Sequence, residues 1–396
     1  SGGRLRLTIV CRAITTAAAA TVASAPSSGA AAGREQRYRS QGRYSVGNCK
    51  TPWSVPDGTD LCQPADQKPQ PDLSGGQGGD SVTGRIFTST HQTYDLPPLL
   101  SWSVVHTGTV PCDSYTVTCL YSKEMAPILP LAAGFIGFED GQLVARGIVD
   151  DFSVDLDGGG TTVPIPGRGA AARLLDNESR PVTYQDATLE EIVRRHVTPY
   201  GVVAREVADV QARSVYTVAA GTSQWKVLES FCRTYGGFAP RFAINGALLA
   251  APERDNGRRL CIGDADPVLH CSWREDHYGV LTEALVIDKK RNVSYSVKNP
   301  DMIAKGGQCR RVVYTPGQST WAAMRYTGEY QIQKSREEQR LITVTMPGSF
   351  LAYPGDRVEL SLSRLGLSGT FRVAEAENVC SQRDGFTATL TLKEGI

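Results

Sequence analysis

No stretch of this 396-residue chain approaches ~18 consecutive apolar residues, so the sequence offers no membrane-spanning helix. No CxxC pair, HExxH, GxSxG or strand-then-GxGxxG run occurs, so a thiol zinc clasp, a zinc protease, a serine-hydrolase elbow and a dinucleotide fold all lack their signatures. No long run of one charge occurs either. With 42 basic and 41 acidic side chains the net charge is +1, which argues against a phosphate backbone or an anionic membrane as partner. Ten cysteines are too sparse for a disulfide-built scaffold. Their nearest groups, Cys49 with Cys62, Cys112 with Cys119, and Cys261 with Cys271 beside His270, lack the short spacing of zinc ligands. Most read as buried thiols, with no metal.

What is present changes along the chain. The start, "RLRLTIVCRAITTAAAATVASAPSS", has arginines ahead of an Ala-rich run, as a secretory signal does, but Arg12 and the threonines break the apolar core. "LRLTIV" reads as a short strand, giving a first element over 1–12. Residues 13–84 are rich in Ala, Ser, Gly, Gln and Pro, an irregular arm or insertion, although Tyr44, Trp53 and Val55 suggest that its middle lies on a neighbour.

From about residue 95 the period becomes two. "SYTVTCLY" places Tyr115, Val117, Cys119 and Tyr121 on one face, and "DFSVDLDGGG" predicts Phe152, Val154 and Leu156 inward with Ser153 and Asp155 outward. This is the pattern of antiparallel β-structure, not of βαβ units. Two helices interrupt it. In "TLEEIVRRHVTPYG" Thr188 and Glu191 have capping-box spacing, and Leu189, Ile192, Val193 and His196 form an apolar stripe, so a helix is predicted over about 188–199. The second, about 223–235, is capped by Thr222 or Ser223, lines Trp225, Leu228, Phe231, Cys232 and Tyr235 along one face, and stops at Gly236-Gly237. A hairpin over 238–251 follows, with Asn245-Gly246 expected at the centre of a type I′ turn. The last third, "RLITVTM", "GDRVELSLS", "GTFRVAEAE" and "GFTATLTLKE", gives strands at short spacing, as in a small barrel or sandwich. The last one alternates Phe386, Ala388, Leu390 and Leu392 with threonines and runs almost to Ile396, and no appended catalytic module is expected.

Candidate chemistry is thin. "GDSVTGRI" has Gly79 and Gly84 but Arg85 and Ile86 where a phosphate loop needs Lys and a hydroxyl. Asp155 and Asp157 lack the further oxygens of a calcium loop. Asp150 and Asp151 are successive strand residues that point to opposite faces, so they make a poor carboxylate pair for glycoside cleavage. Cys232 sits near a helix C-terminus among aromatics, where both dipole and burial disfavour a thiolate. The histidines, 91, 106, 196, 270 and 277, are scattered. No catalytic residue, cofactor site or metal site is assigned. Thr188, Glu191, Trp225, Leu228, Phe231, Tyr235, Gly236, Gly237, Asn245 and Gly246 are taken as structural.

"GRGAAARLLDNE" followed by "TYQDATLEEIVRRHVTPYG", and "GTSQWKVLESFCRTYGGF" before the Asn-Gly pair, resemble in sequence and order the baseplate hub proteins of contractile phage tails and tailocins. These form the late control protein D family, which is similar to the hub portion of type VI secretion spike proteins. The resemblance covers about residues 95–396; residues 13–84 depart from it. It implies a β-rich α+β chain: a first tube-forming antiparallel β-barrel over 85–177, a small α+β lobe with the two helices over 178–255, and a second barrel over 256–396. It also implies a homotrimer whose six barrels join a six-fold tail tube to a three-fold spike, partnered by spike, tube or tube-initiator and wedge proteins. The place would be the tail baseplate of a virion or tailocin assembled in the bacterial cytoplasm, and the role would be without turnover. The competing readings are a tail-associated cell-wall hydrolase, which would need a nucleophile or carboxylate set, and a carbohydrate-binding module, which would need aromatics presented on a sheet face.

Overall fold

The computed structural model describes residues 82–108, 112–254, 257–315, 319–381 and 385–394. The expected first strand, most of the arm, Tyr44, Trp53, Val55, Gly79 and the Cys49–Cys62 pair lie outside the described residues.

The first β-domain comprises β1 (Thr83–Thr88), β2 (Thr93–Asp95), β3 (Leu99–His106), β4 (Ser114–Leu120), β5 (Ala132–Glu139), β6 (Gln142–Val149), β7 (Asp155–Asp157) and β8 (Gly160–Arg168). Its six main strands lie in the order β3-β4-β8-β6-β5-β1, every neighbour antiparallel. Alternation does the work of folding it. Ile86, Trp102, Val117, Phe135, Val144 and Ile165, one from each strand, are buried in a single core, so the sheet curls round its own apolar face.

A lobe follows: α1 (Ala172–Leu175), β9 (Val182–Tyr184), α2 (Leu189–His196), β10 (Ala204–Val207), β11 (Tyr216–Val218), α3 (Gln224–Phe231), β12 (Arg241–Phe242) and β13 (Leu248–Ala250). Its core begins earlier than the expected boundary at 178, since Ala171 and Leu174 already belong to it.

The second β-domain contains β14 (Arg259–Gly263) and β15 (His270–Glu275), and later β19 (Arg340–Pro347), β20 (Arg357–Leu362), β21 (Leu367–Ser381) and β22 (Gly385–Glu394). Between β15 and β19 stands an element the sequence reading assigned to the barrel. This is a three-stranded sheet, β16 (Glu283–Asp288), β17 (Val293–Lys298) and β18 (Arg310–Thr315), with α4 (Pro300–Ala304) and the 17-residue α5 (Trp321–Glu337). The single barrel expected over 256–396 is therefore interrupted by an α/β insertion. A second correction concerns direction: β14 pairs β20, β16 pairs β18 and β10 pairs β13 in parallel, where antiparallel pairing alone was expected.

The second domain reads β15-β19-β22-β21-β20-β14. Counting only the six main strands of each domain in chain order, without the short β2 and β7 and without β16–β18 of the insertion, both follow 2-3-6-5-4-1. Within this order they differ in that β14 runs parallel to its neighbour whereas β1 runs antiparallel. The two domains are also one sheet, because β21 pairs with β3, Ala376 opposite His106 through Cys380 opposite Trp102.

Candidate functional site

The residues with chemical potential lie mainly in the lobe, and packing rather than access governs them. Helix α2 starts at Thr188, whose Oγ1 accepts the Glu191 N–H at 3.2 Å. The reciprocal half of the expected capping box is absent, because the Glu191 carboxylate turns outward to Arg195 at 2.8 Å, an i,i+4 pair. Helix α3 starts at Ser223, which caps the Lys226 N–H. Its regular part ends at Phe231. Residues Cys232–Gly236 form a wider π-type turn, and Gly237, at φ 73°, makes the left-handed stop.

The predicted apolar face is present: Trp225, Leu228, Phe231, Cys232 and Tyr235 are buried, joined by Val227 and Gln224. Trp225 packs on Phe242 at 5.7 Å between ring centroids, and its buried Nε1 has no hydrogen-bond partner. The hairpin turn differs from expectation. Gly246 alone of the central pair takes positive φ, 79°, and its N–H bonds to the Ala243 carbonyl at 2.8 Å. Ile244 and Asn245 are thus the centre of a type I turn, with Gly246 as the bulge residue of a three-residue loop.

His196 is the end of the α2 stripe and also a polar hub that sequence reasoning missed. Its Nδ1 donates to Gln224 Oε1 and its Nε2 accepts from the Tyr184 hydroxyl, both at 2.7 Å. Gln224 Nε2 in turn donates to the Tyr200 hydroxyl at 2.6 Å and to the Glu178 carbonyl at 3.1 Å. Burial, ahead of the opposing Gln224 hydrogen bond, lowers the His196 pKa, which suits the neutral ring that this pattern needs. A buried, satisfied network of this kind fixes helix register; it holds no unpaired acid or base for a substrate. The only signal in the sequence was Gln224 at an otherwise apolar position.

Cys232 is fully buried, and burial first, with the Glu229 carboxylate adding, pushes its thiol well above the ordinary range. All described cysteines are free thiols; Cys119 and Cys232 are buried, Cys261 is exposed, and Cys112, Cys271, Cys309 and Cys380 are intermediate, so full burial is less common than the sequence suggested. Asp150 is taken up by Arg168 at 2.7 Å, Asp151 caps the Phe152 N–H, and Asp157 caps the Gly159 N–H in the turn. Among the described residues no group of three or more His, Cys, Asp and Glu side chains is placed to hold a metal. A cavity of about 10 Å³ between the first β-domain and the lobe, lined by Asp113, Phe242 and Ile244, has room for about one water.

The surface is more informative. Val154 and Leu156, predicted inward, are 45% and 80% exposed. They lie past Ile148, the last β6 residue paired to β5, so the strand there has left the barrel wall. Leu269, Trp273 and Tyr278 around β15, and Val312 and Tyr314 on β18, are also exposed.

No family model matches the chain, and no curated protein matches it. Solved structures do. A tail protein from Neisseria meningitidis MC58 superposes with a TM-score of 0.63 at 18% identity, covering 80% of this chain and 97% of that one. The 43 kDa tail protein of prophage MuSo2 from Shewanella oneidensis gives 0.61 at 16% identity, covering 79% and 98%. A prophage tail protein from Listeria monocytogenes EGD-e gives 0.52 at 14%, covering 80% and 94%. The described residues thus have the fold of phage tail proteins, β-rich with few helices and large, mainly antiparallel sheets.

Proposed function

We propose that this chain is a structural baseplate hub of a contractile phage tail or tailocin, a homotrimeric ring that joins a six-fold tail tube to a three-fold central spike. The observation that carries the reading is the repeated strand order. One chain offers two β-domains of like topology, so three copies present six such units to a tube while keeping three-fold symmetry toward a spike. The partners are then the spike protein, the tube or tube-initiator protein and the baseplate wedge proteins, on a particle assembled in the host cytoplasm. The role is assembly without turnover, in keeping with the enclosed His196 network and the buried Cys232. Co-expression with spike and tube proteins should give particles in which imaging finds three copies on the axis between tube and spike. A chain that stays monomeric with both partners present refutes the reading.

A further inference from the structure

The sheet of the α/β insertion has one covered face and one bare face. In the register of β16 with β17 and β18, Ala284, Val286, Asp288, Val297, Arg311 and Val313 point one way. That side lies under α5, where Gly328 sits against Val286 and Val297 and Gln331 accepts from Arg311 at 3.0 Å. The other side sets Leu285 beside Val312 and Ile287 beside Tyr314, an apolar block on adjoining strands. Val312 and Tyr314 are 45% and 56% exposed, and Leu285 and Ile287 are half-buried, so nothing among the described residues seals the block.

The surround of the block is basic. Lys289 places its Nζ 4.0 Å from the centre of the Tyr314 ring, Lys298 and Arg310 stand on the same face at its other end, and exposed Lys290 adds to the hairpin tip. Among the described strand residues of this face the one carboxylate is Glu283. It is already taken, by Arg310 at 2.6 Å and by the Ser296 hydroxyl at 2.7 Å. An apolar centre ringed by unspent positive charge fits an occupant that is apolar and acidic.

We propose that the occupant is residues 51–81 of the same chain, laid across Leu285, Ile287, Val312 and Tyr314. The sequence of that segment has the required chemistry. It holds Asp57, Asp60, Asp66, Asp72 and Asp80 against Lys68 alone, with Trp53, Val55, Leu61 and Leu73 as apolar anchors. Residues 1–50 have the wrong sign, with Glu35 as their one acidic residue among eight Lys and Arg. Pro52, Pro56, Pro64, Pro69 and Pro71 deny residues 51–81 a continuous backbone ladder, so a sheet face suits them better than a sheet edge. Their fixed φ also lowers the entropy lost on docking, as in proline-rich ligands of aromatic surfaces. Reach does not limit the contact: at ~3.3 Å per residue the segment spans up to about 100 Å from its join to β1. Tethering supplies a high effective concentration, so contacts too weak for a separate partner suffice. The inference does not depend on the hub reading.

The test uses the full-length chain and an endoproteinase that cuts before aspartate, for which Asp57, Asp60, Asp66 and Asp72 are the reporters. V312D/Y314D, at two exposed positions, should speed these cuts about tenfold over wild type, and K289E/K298E should do so through charge alone. Unchanged hydrogen exchange in 222–237 shows that the rest of the chain is folded; should V312D/Y314D lose the wild-type unfolding transition, K289E/K298E carries the comparison. Carbodiimide cross-linking of the wild type should join Lys289, Lys290 or Lys298 to the same aspartates. It is run on an equal mixture of light and heavy isotope-labelled chains that is monomeric, or that native mass spectrometry shows to have exchanged subunits. Links within one isotope class are the expected result. Links that also join light to heavy chains put a second copy on the face and overturn the proposal. Cuts at one rate in the wild type and both variants overturn it as well, and leave the face to a separate acidic partner.

Discussion

Trp225 allows two substitutions with opposite expectations. Its indole is buried against Phe242, and its Nε1–H has no partner. Trp225→Ala empties most of that volume and should cost about 3–5 kcal/mol. Trp225→Phe removes three heavy atoms, a loss of roughly 2 kcal/mol at about 0.8 kcal/mol for each buried CH2-sized group. It also deletes a buried unpaired donor, whose desolvation costs about 1–3 kcal/mol. The two terms offset, so Trp225→Phe should lie within about 1 kcal/mol of wild type. A chain with several cores need not unfold in one step, so global melting alone would blur the result. Urea titration read by hydrogen exchange on peptides spanning 222–237 isolates the lobe. If Trp225→Phe costs as much as Trp225→Ala, the indole N–H does have a partner and the reasoning fails. If Trp225→Ala costs less than about 1.5 kcal/mol, α3 is not an anchor of the lobe.

Three further outcomes are expected. His196 has a folded pKa below its ordinary 6.5, so the unfolded chain takes up the proton first and lobe stability is lost as pH falls through that value toward the lower folded one; urea titrations at pH values from 7.5 to 5, each read on the lobe peptides, should show this decline, and His196→Gln should flatten it. Native protein treated with iodoacetamide should label Cys261 and spare Cys232 by peptide mass spectrometry, while Cys232→Ser should cost about 1–3 kcal/mol by placing a hydroxyl in an apolar core. A Cβ on Gly167 would run into the Ile148 carbonyl and the Tyr115 hydroxyl, which already donates to that carbonyl at 2.7 Å, so Gly167→Ala should cost on the order of 1–3 kcal/mol and raise exchange in β6 and β8.

Local order was legible where one physical rule dominates. Period-two burial located β4, β19, β20 and β22, and the hydroxyl caps Thr188 and Ser223 marked α2 and α3 to within a residue at their starts, while the short α1 was not foreseen. Helix ends were less readable, since the π-type turn at Cys232 depends on how the following chain packs, not on the glycines alone. The insertion was missed because, of the residues α5 buries, only Met324 and Ile332 are large and apolar, while Ala323, Thr327 and Gly328 are small or polar and leave no bold apolar stripe; Gly328 lets the helix lie close to Val297. Val154 and Leu156 were placed inward because alternation identifies a strand's two faces but not whether a neighbour covers either one. The His196 network was hidden for a related reason. Tyr184, His196, Tyr200 and Gln224 come from four separate elements or turns, and only tertiary folding brings them together.

The main-chain pairing of β21 with β3 also bears on how far such a sequence can drift. A junction built from side chains must be re-matched whenever a residue changes on either surface. One built from peptide groups is the same for nearly every residue except proline, so the angle between the two β-domains is inherited by the backbone and not renegotiated at each substitution. Selection is then free to rewrite the outer faces while the spacing of the two domains stays put.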